Sequence, residues 1–165
     1  MEQMNLRVIA LLLLVLVLCS GCSPAQIKGR PPFVSIAAMW AQPQSLSARF
    51  DIRNINDVEM AIDSIELTIR ARDVEMVRYR NTLTLTVDPN TTEEIPLDSL
   101  PDEVARPLLA ELERGDVASL PFFLEGRVHT RDDGYLPFSH EGHLYPVPGK
   151  PGQFRAASSR TEEER

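Results

Sequence analysis

The chain has 165 residues, enough for one ordinary domain with flanking segments but leaving little room for a second domain. Its formal net charge of -7 and pI near 5.0 exclude a nucleic-acid partner, because phosphate binding needs clustered Lys and Arg side chains and the sequence has no such cluster. Both cysteines, Cys19 and Cys22, lie near the N-terminus, so the remainder of the chain can form neither a disulfide nor a cysteine metal site.

The N-terminus has the pattern of an export signal. Val8 to Cys19 form an uninterrupted apolar run of 12 residues, and Arg7 supplies a positive charge before it; a start at Met4 would give a cleaner positive region. The run is too short to cross about 30 Å of hydrocarbon as a helix. We therefore predict a signal peptide over residues 1–21.

The residues that follow the apolar run resemble the bacterial lipobox, in which small residues precede a lipid-accepting cysteine. Ser20 and Gly21 fit this pattern before Cys22, whereas Cys19 stands where the lipobox usually has leucine. The resemblance implies that Cys22 carries covalent lipid, including palmitate, and we expect no other cofactor. An ordinary secretory leader or an uncleaved anchor is the alternative.

The residue after the acceptor cysteine indicates the membrane to which the lipoprotein is sorted. In enterobacterial-type sorting a residue other than Asp at that position resembles an outer-membrane signal, and this chain has Ser23. We therefore expect lipid anchoring at the periplasmic face of the outer membrane. Residues 22–32 are polar and contain proline, so we interpret them as the lipidated cysteine and a tether.

From Phe33 onward, short runs alternate between apolar and polar residues, which predicts antiparallel β-structure. The alternation slips by one residue around Asp63-Ser64, which predicts a β-bulge. Val74 to Arg80 is predicted to be an edge strand, a threonine-rich strand follows it, and Arg131 to Gly134 carries an Asp-Gly hairpin signal. The clearest run places four apolar side chains on one face, namely Leu46, Ala48, Phe50 and Ile52.

One segment has helical periodicity. Val104, Leu108 and Leu112 recur at four-residue spacing within Pro101 to Arg114, and Gly115 can end the helix. Pro107 either breaks this helix or lies in the first turn of its regular part.

Together these segments predict an immunoglobulin- or fibronectin III-like antiparallel β-sandwich of about seven strands with one short helix, rather than a closed barrel. We place this domain at residues 33–148. Residues 149–165 are polar and are predicted to be a disordered tail.

The order of the segments resembles the WHy (water stress and hypersensitive response) domain of the late embryogenesis abundant type 2 family. The resemblance covers nearly all of Pro32 to Pro148. It includes the opening strand Pro32–Ile36, the turn Asn54-Ile55-Asn56 where the family often has Asn-Pro-Asn, and the segment Leu136-Pro137-Phe138-Ser139 followed by Gly142. The family has no established catalytic residues, so the resemblance implies a folded, non-enzymatic protein linked to desiccation tolerance.

The sequence contains few motifs of catalytic or metal-binding sites, which agrees with a non-enzymatic protein. His140-x-x-His143 invites a metal interpretation, but residues three apart on a strand point to opposite faces, so we predict no metal site there or at His129. The sequence has no GxxxxGK[ST], GxGxxG or GxSxG motif, which disfavours the enzyme classes that use them.

Two functions remain from the sequence. The first is protective binding of envelope client proteins or membranes during water stress, and the second is an envelope-assembly or scaffold lipoprotein that binds a specific protein partner. In both, the membrane is reached through the lipid on Cys22. Met39 and Trp40 are candidate partner contacts, with a core or rim position for the tryptophan as the alternative.

Overall fold

The computed structural model describes residues 25–72, 74–101 and 103–158, so the predicted signal peptide and Cys22 lie outside the described residues. The described chain contains eight strands and one helix. In chain order they are β1 Phe33–Gln42, β2 Ser45–Arg53, β3 Met60–Ala71, β4 Val74–Val87, β5 Thr92–Leu100, α1 Ala105–Arg114, β6 Leu120–Thr130, β7 Gly134–Pro146 and β8 Gln153–Ser158.

All strand pairs are antiparallel, and the strands form one eight-stranded sheet in the order β4-β3-β6-β7-β8-β1-β2-β5. The end strands β4 and β5 also contact each other, so the sheet curls into a nearly closed barrel. The prediction of an antiparallel β-domain with one short helix is confirmed for the described residues. The strand number is eight rather than about seven, and the sheet is continuous.

The strand irregularities follow the sequence pattern. The predicted bulge is present, because the register of β3 shifts between Ile62 and Ser64 against both β4 and β6. Opposite Ile69–Arg70, β4 carries one extra residue, Met76, so Met76 and Val77 are both buried. This extra residue explains the two phases of the predicted edge strand, which lies at the sheet edge and continues into the threonine-rich run as one strand.

Helix α1 is shorter than predicted and turns a different face inward. It begins at Ala105, so Pro107 lies in its first turn, and Gly115 ends it in the left-handed conformation at φ 78°. The buried residues are Ala105, Leu109 and Leu112. The predicted stripe was wrong at Val104, which is 43% exposed, because the helix starts after this residue.

The predicted disordered tail is wrong for residues 153–158, which form β8. This strand pairs with β7 over Pro146–Gly142 and with β1 over Ala38–Trp40. Phe154 explains why the strand is held, since its side chain is fully buried in the core. The folded domain therefore extends at least to Ser158.

The barrel has two ends, which organise its surfaces. One end, here called the Asn end, is formed by residues 25–32, 54–59, 88–91 and 131–133. The opposite end, here called the helix end, is formed by α1 with residues 43–44, 115–119 and 147–152. The core between them is apolar, and its largest fully buried side chains are Phe50, Phe154, Met39, Leu46, Ile52, Ile62, Ile65, Ile69, Leu109, Leu112, Leu120 and Leu124.

Candidate interaction surfaces

The two candidate partner contacts lie on opposite faces of β1. Met39 is fully buried in the core, so the prediction that its side chain contacts a partner was wrong. Alternation along the strand turns Trp40 outward, where it is half-buried and the guanidinium of Arg49 lies 5.1 Å from its ring centroid. Trp40 therefore remains a candidate surface contact, with one ring face covered.

The histidines of β7 do not converge. His140 packs edge-on against Phe33, at 5.0 Å between ring centroids, whereas His143 lies 6.3 Å from Tyr145. Burial lowers the pKa of His140 despite the opposing effect of Glu141. Within the ranges that the structure describes, no group of three or more His, Cys, Asp or Glu side chains is placed to hold a metal ion.

A wide groove crosses the outer face of β4, β3, β6 and β7. Its volume is about 1060 Å³, and it is open to solvent along its length. Half-buried Phe123 and exposed Pro137 contribute its apolar surface. Between them lie charged side chains of both signs, so the groove is amphipathic and is neither purely hydrophobic nor uniformly charged.

Glu66 is the centre of the charged part of the groove. Its carboxylate accepts hydrogen bonds from Arg80 on β4 and from Arg127 on β6, the latter through Nε at 3.0 Å. Desolvation alone would raise the pKa of Glu66, but the hydrogen bonds from the two guanidinium groups outweigh it and hold the pKa below its ordinary value. Glu66 therefore links three neighbouring strands across the groove.

Two more contacts complete the arrangement. Arg70 pairs with Glu125 at 3.0 Å, and the guanidinium of Arg127 also lies 4.5 Å from the ring centroid of Tyr135. Most of these charged side chains already form ion pairs with each other. A ligand that binds here would therefore have to replace those ion pairs with its own polar contacts. Such a surface favours weak contacts over tight binding of one ion.

Gly126 lies at the floor of the groove. A Cβ atom there would come within 2.2 Å of the Glu66 carbonyl oxygen and within 2.7 Å of the Phe138 ring. Only glycine therefore lets β6 approach β3 and the ring beneath it at this point.

The Asn54-Ile55-Asn56 turn, predicted only as a strand-ending turn, is the best-connected polar site of the Asn end. Asn54 is fully buried, and its side-chain nitrogen donates to the carbonyl oxygens of Val58 and Val87 at 2.8 and 3.0 Å. Its side-chain oxygen accepts from the Asn56 backbone N–H at 2.9 Å and from the Asn56 side chain at 3.0 Å. The turn therefore fastens β2 to the start of β3 and the end of β4.

The same turn holds the segment that precedes β1. The Asn56 side chain accepts from the Arg30 N–H at 2.9 Å and donates to the Arg30 carbonyl oxygen at 3.0 Å. Asp57 and Ile27 exchange two further hydrogen bonds, both of 2.9 Å. The hydrogen bond from the Ile27 backbone N–H, supported by Asn90, lowers the pKa of Asp57. The predicted tether of residues 22–32 was therefore too long, because Ile27 to Arg30 belong to the folded domain.

Comparisons with known proteins bear on the fold. No family model and no curated protein matches the chain. Among solved structures, the chain is similar to a protein from Archaeoglobus fulgidus, with 16% identity and a TM-score of 0.44, covering 68% of this chain and 96% of that one. It is also similar to AT1g01470 from Arabidopsis thaliana, with 11% identity and a TM-score of 0.53, covering 76% of this chain and 87% of that one. The second likeness supports the β-fold alone.

Over residues 25–72, 74–101 and 103–158, no helix is both long and apolar enough to cross a bilayer.

Proposed function

We propose that this chain is a non-enzymatic envelope lipoprotein of the late embryogenesis abundant type 2 kind, which protects envelope proteins or membranes during water stress. The observation that carries the proposal is the resemblance of Pro32 to Pro148 to the WHy domain. Lipid on Cys22 would hold the protein at the periplasmic face of the outer membrane. More than one acyl chain on that cysteine is needed for stable anchoring.

We also propose that the curled sheet is a fibronectin-like sandwich whose two layers are joined through β8. Its halves would be β4-β3-β6-β7 and β1-β2-β5. The short pairing of β8 supports this division, because β1 meets it only over Ala38–Trp40 and β7 only over Gly142–Pro146. A continuous ladder of full-length strands would be expected in a regular closed barrel.

The groove is the surface best suited to protective contacts. It combines the half-buried aromatic side chain of Phe123 with charges that already have partners, and this composition favours weak binding of many different clients. As water is lost, ionic and polar contacts to client surfaces would replace hydration of the same groups. The degree of protection would then depend on the accessible area of the groove and not on a shape that is complementary to one client.

The test is recovery of a drying-sensitive enzyme after desiccation and rehydration, with the Ser23 to Arg165 protein compared with an equal mass of albumin. We expect recovery well above albumin. An Arg80→Glu variant should protect less, since it places a like charge beside Glu66. Arg114→Glu at the helix end, which places a like charge beside Asp116, is the matched charge-reversal control. Recovery equal to albumin would refute the protective function.

The alternative is a scaffold lipoprotein that binds one specific envelope protein. The edge position of β4 favours it, because this 14-residue strand has one unpaired edge and lacks charged residues over Asn81–Val87. A photocrosslinker at exposed Thr84 tests the idea in cells. Stoichiometric capture of one envelope protein at Thr84, but not at Ala118 of the helix end, would favour the scaffold over the protective function.

A further inference from the structure

We propose that the Asn end of the domain rests on the headgroup surface of the bilayer, while the helix end points away from it. This orientation rests on the proposed lipid anchor at Cys22. It follows from the hydrogen bonds that hold Ile27 to Arg30 against the Asn54–Asp57 loop, together with the short length of chain that remains before them.

Few residues separate Cys22 from Ile27. Five peptide units separate the α-carbons of Cys22 and Ile27, and a fully extended chain of that length spans at most about 18 Å. Strand β3 has 12 residues and is about 40 Å long, which is about 30 Å along the barrel axis for a strand tilt of about 40°. The Asn end therefore stays within about 18 Å of the anchored cysteine while Ile27 is held. The helix end cannot then face the lipid with the Asn end pointing away.

Without the hydrogen bonds to Asn56 and Asp57, the chain from Cys22 to Pro32 would span about 35 Å when extended. A tether of that length would let the domain turn freely above the membrane. Asn56, which holds Arg30, and Asp57, which holds Ile27, thus convert a loose attachment into an oriented one.

The surface of the Asn end suits polar headgroups. Ile27 is 36% exposed and Tyr135, next to the 131–133 turn, is 57% exposed, and tyrosine is enriched where proteins meet the membrane–water interface. Charges of both signs surround them on exposed side chains, including Lys28, Arg30, Arg131, Asp57, Asp88, Asp132 and Asp133. This mixture fits zwitterionic headgroups and opposes insertion into the hydrocarbon.

The experiment uses the full-length chain, processed in cells, purified and placed in vesicles of phosphatidylethanolamine and phosphatidylglycerol. Cys22 would be blocked by its lipid and Cys19 removed with the leader, so one added cysteine is the only reactive thiol. Asp132→Cys at the Asn end and Ala118→Cys at the helix end each receive a fluorophore. Lipids with headgroup quenchers then report the distance of each label from the surface.

We expect quenching at residue 132 to be severalfold stronger than at residue 118. Inserting ten Gly and Ser residues after Ser23 should remove most of this difference without touching the fold. An Asn56→Ala, Asp57→Ala double variant that circular dichroism shows to be folded should also reduce it, because it removes the side chains that hold Arg30 and Ile27. Equal quenching at both positions in a lipidated protein would overturn the orientation while leaving the anchor intact. Mass spectrometry showing no lipid on Cys22 would overturn both.

Discussion

Single residues decide how the Asn end holds together, and Asn54 is the most connected of them. Its buried amide serves two strands at once, because it donates to the Val58, Val87 and Asp88 carbonyl oxygens and accepts from Asn56. A buried polar network is stabilising only while each member has its partners. The Asn-x-Asn pattern is therefore a structural clamp, and its second residue extends the clamp to the chain before β1.

Replacing Asn54 with alanine would leave several buried groups without partners. We expect the free energy of unfolding to fall by about 3 kcal/mol, measured by urea denaturation. Asn81→Ala is the control, because Asn81 is exposed and its amide contacts only local groups, namely the Tyr79 hydroxyl and the next backbone N–H. Equal losses for the two variants would contradict the clamp.

Glu66 predicts a pH dependence of stability. Its pKa is lowered in the folded state from the ordinary 4.5, so its contribution is present above that value and is lost as pH falls through the folded-state pKa. The stability difference between wild type and Glu66→Gln should thus be largest near neutral pH and shrink toward acid. Urea unfolding across that range measures it, with Asp116→Asn as a control for removing a distant carboxylate. A difference that stays constant or grows toward acid would refute this role.

At the scale of elements, β8 shows how much a short strand can contribute. It carries one large apolar residue, Phe154, which is fully buried in the core. The sequence gives little sign of this strand, because Gln153 to Ser158 follow a Pro-Gly turn and contain no repeated apolar alternation. Its position depends on pairing with β7, which directly precedes it, and with β1, which is distant in the chain.

Phe154→Ala should therefore destabilise the domain by about 3 to 5 kcal/mol, the cost of a large cavity in a packed core. The same change at Phe33, which is 44% exposed, is the matched control and should cost no more than about 1 kcal/mol. Thermal or urea unfolding of the two variants compares them directly. Similar losses would mean that β8 does not belong to the core.

Local sequence patterns predicted the elements better than their arrangement. Alternation identified β2, the slip at Asp63-Ser64 identified the bulge, and Gly115 identified the end of α1, because each signal arises from neighbouring residues. The groove could not be predicted in the same way, since Glu66 and Arg127 are 61 positions apart and meet only after β3 pairs with β6. The attachment of Ile27 to Arg30 was missed for the same reason, as polar residues before a strand look like a tether.

At the scale of the whole molecule, the two ends of the barrel face different surroundings under the proposed function. The Asn end receives the chain from the anchor and would face the lipid, so the groove on the side of the barrel and the helix end remain accessible to other envelope components. Polar contacts hold the helix end to its loops, since Arg106 donates to the Gln42 carbonyl oxygen at 2.8 Å and Glu113 accepts from the Gly152 N–H at 2.7 Å. The orientation and the protective groove are therefore compatible in one molecule.

The proposed orientation of the domain on the membrane depends on which cysteine accepts lipid. Cys22 follows the small residues Ser20 and Gly21, whereas Cys19 follows the bulky Leu18, so only Cys22 should be processed. In cells fed labelled palmitate, Cys22→Ser should lose the label and leave the membrane fraction, while Cys19→Ser should keep both properties. Losing a stable multi-chain anchor removes most membrane affinity, because headgroup contacts alone are weak. A Cys22→Ser protein that stays labelled, or a wild-type protein that never takes up palmitate, would show that Cys22 is not the attachment point.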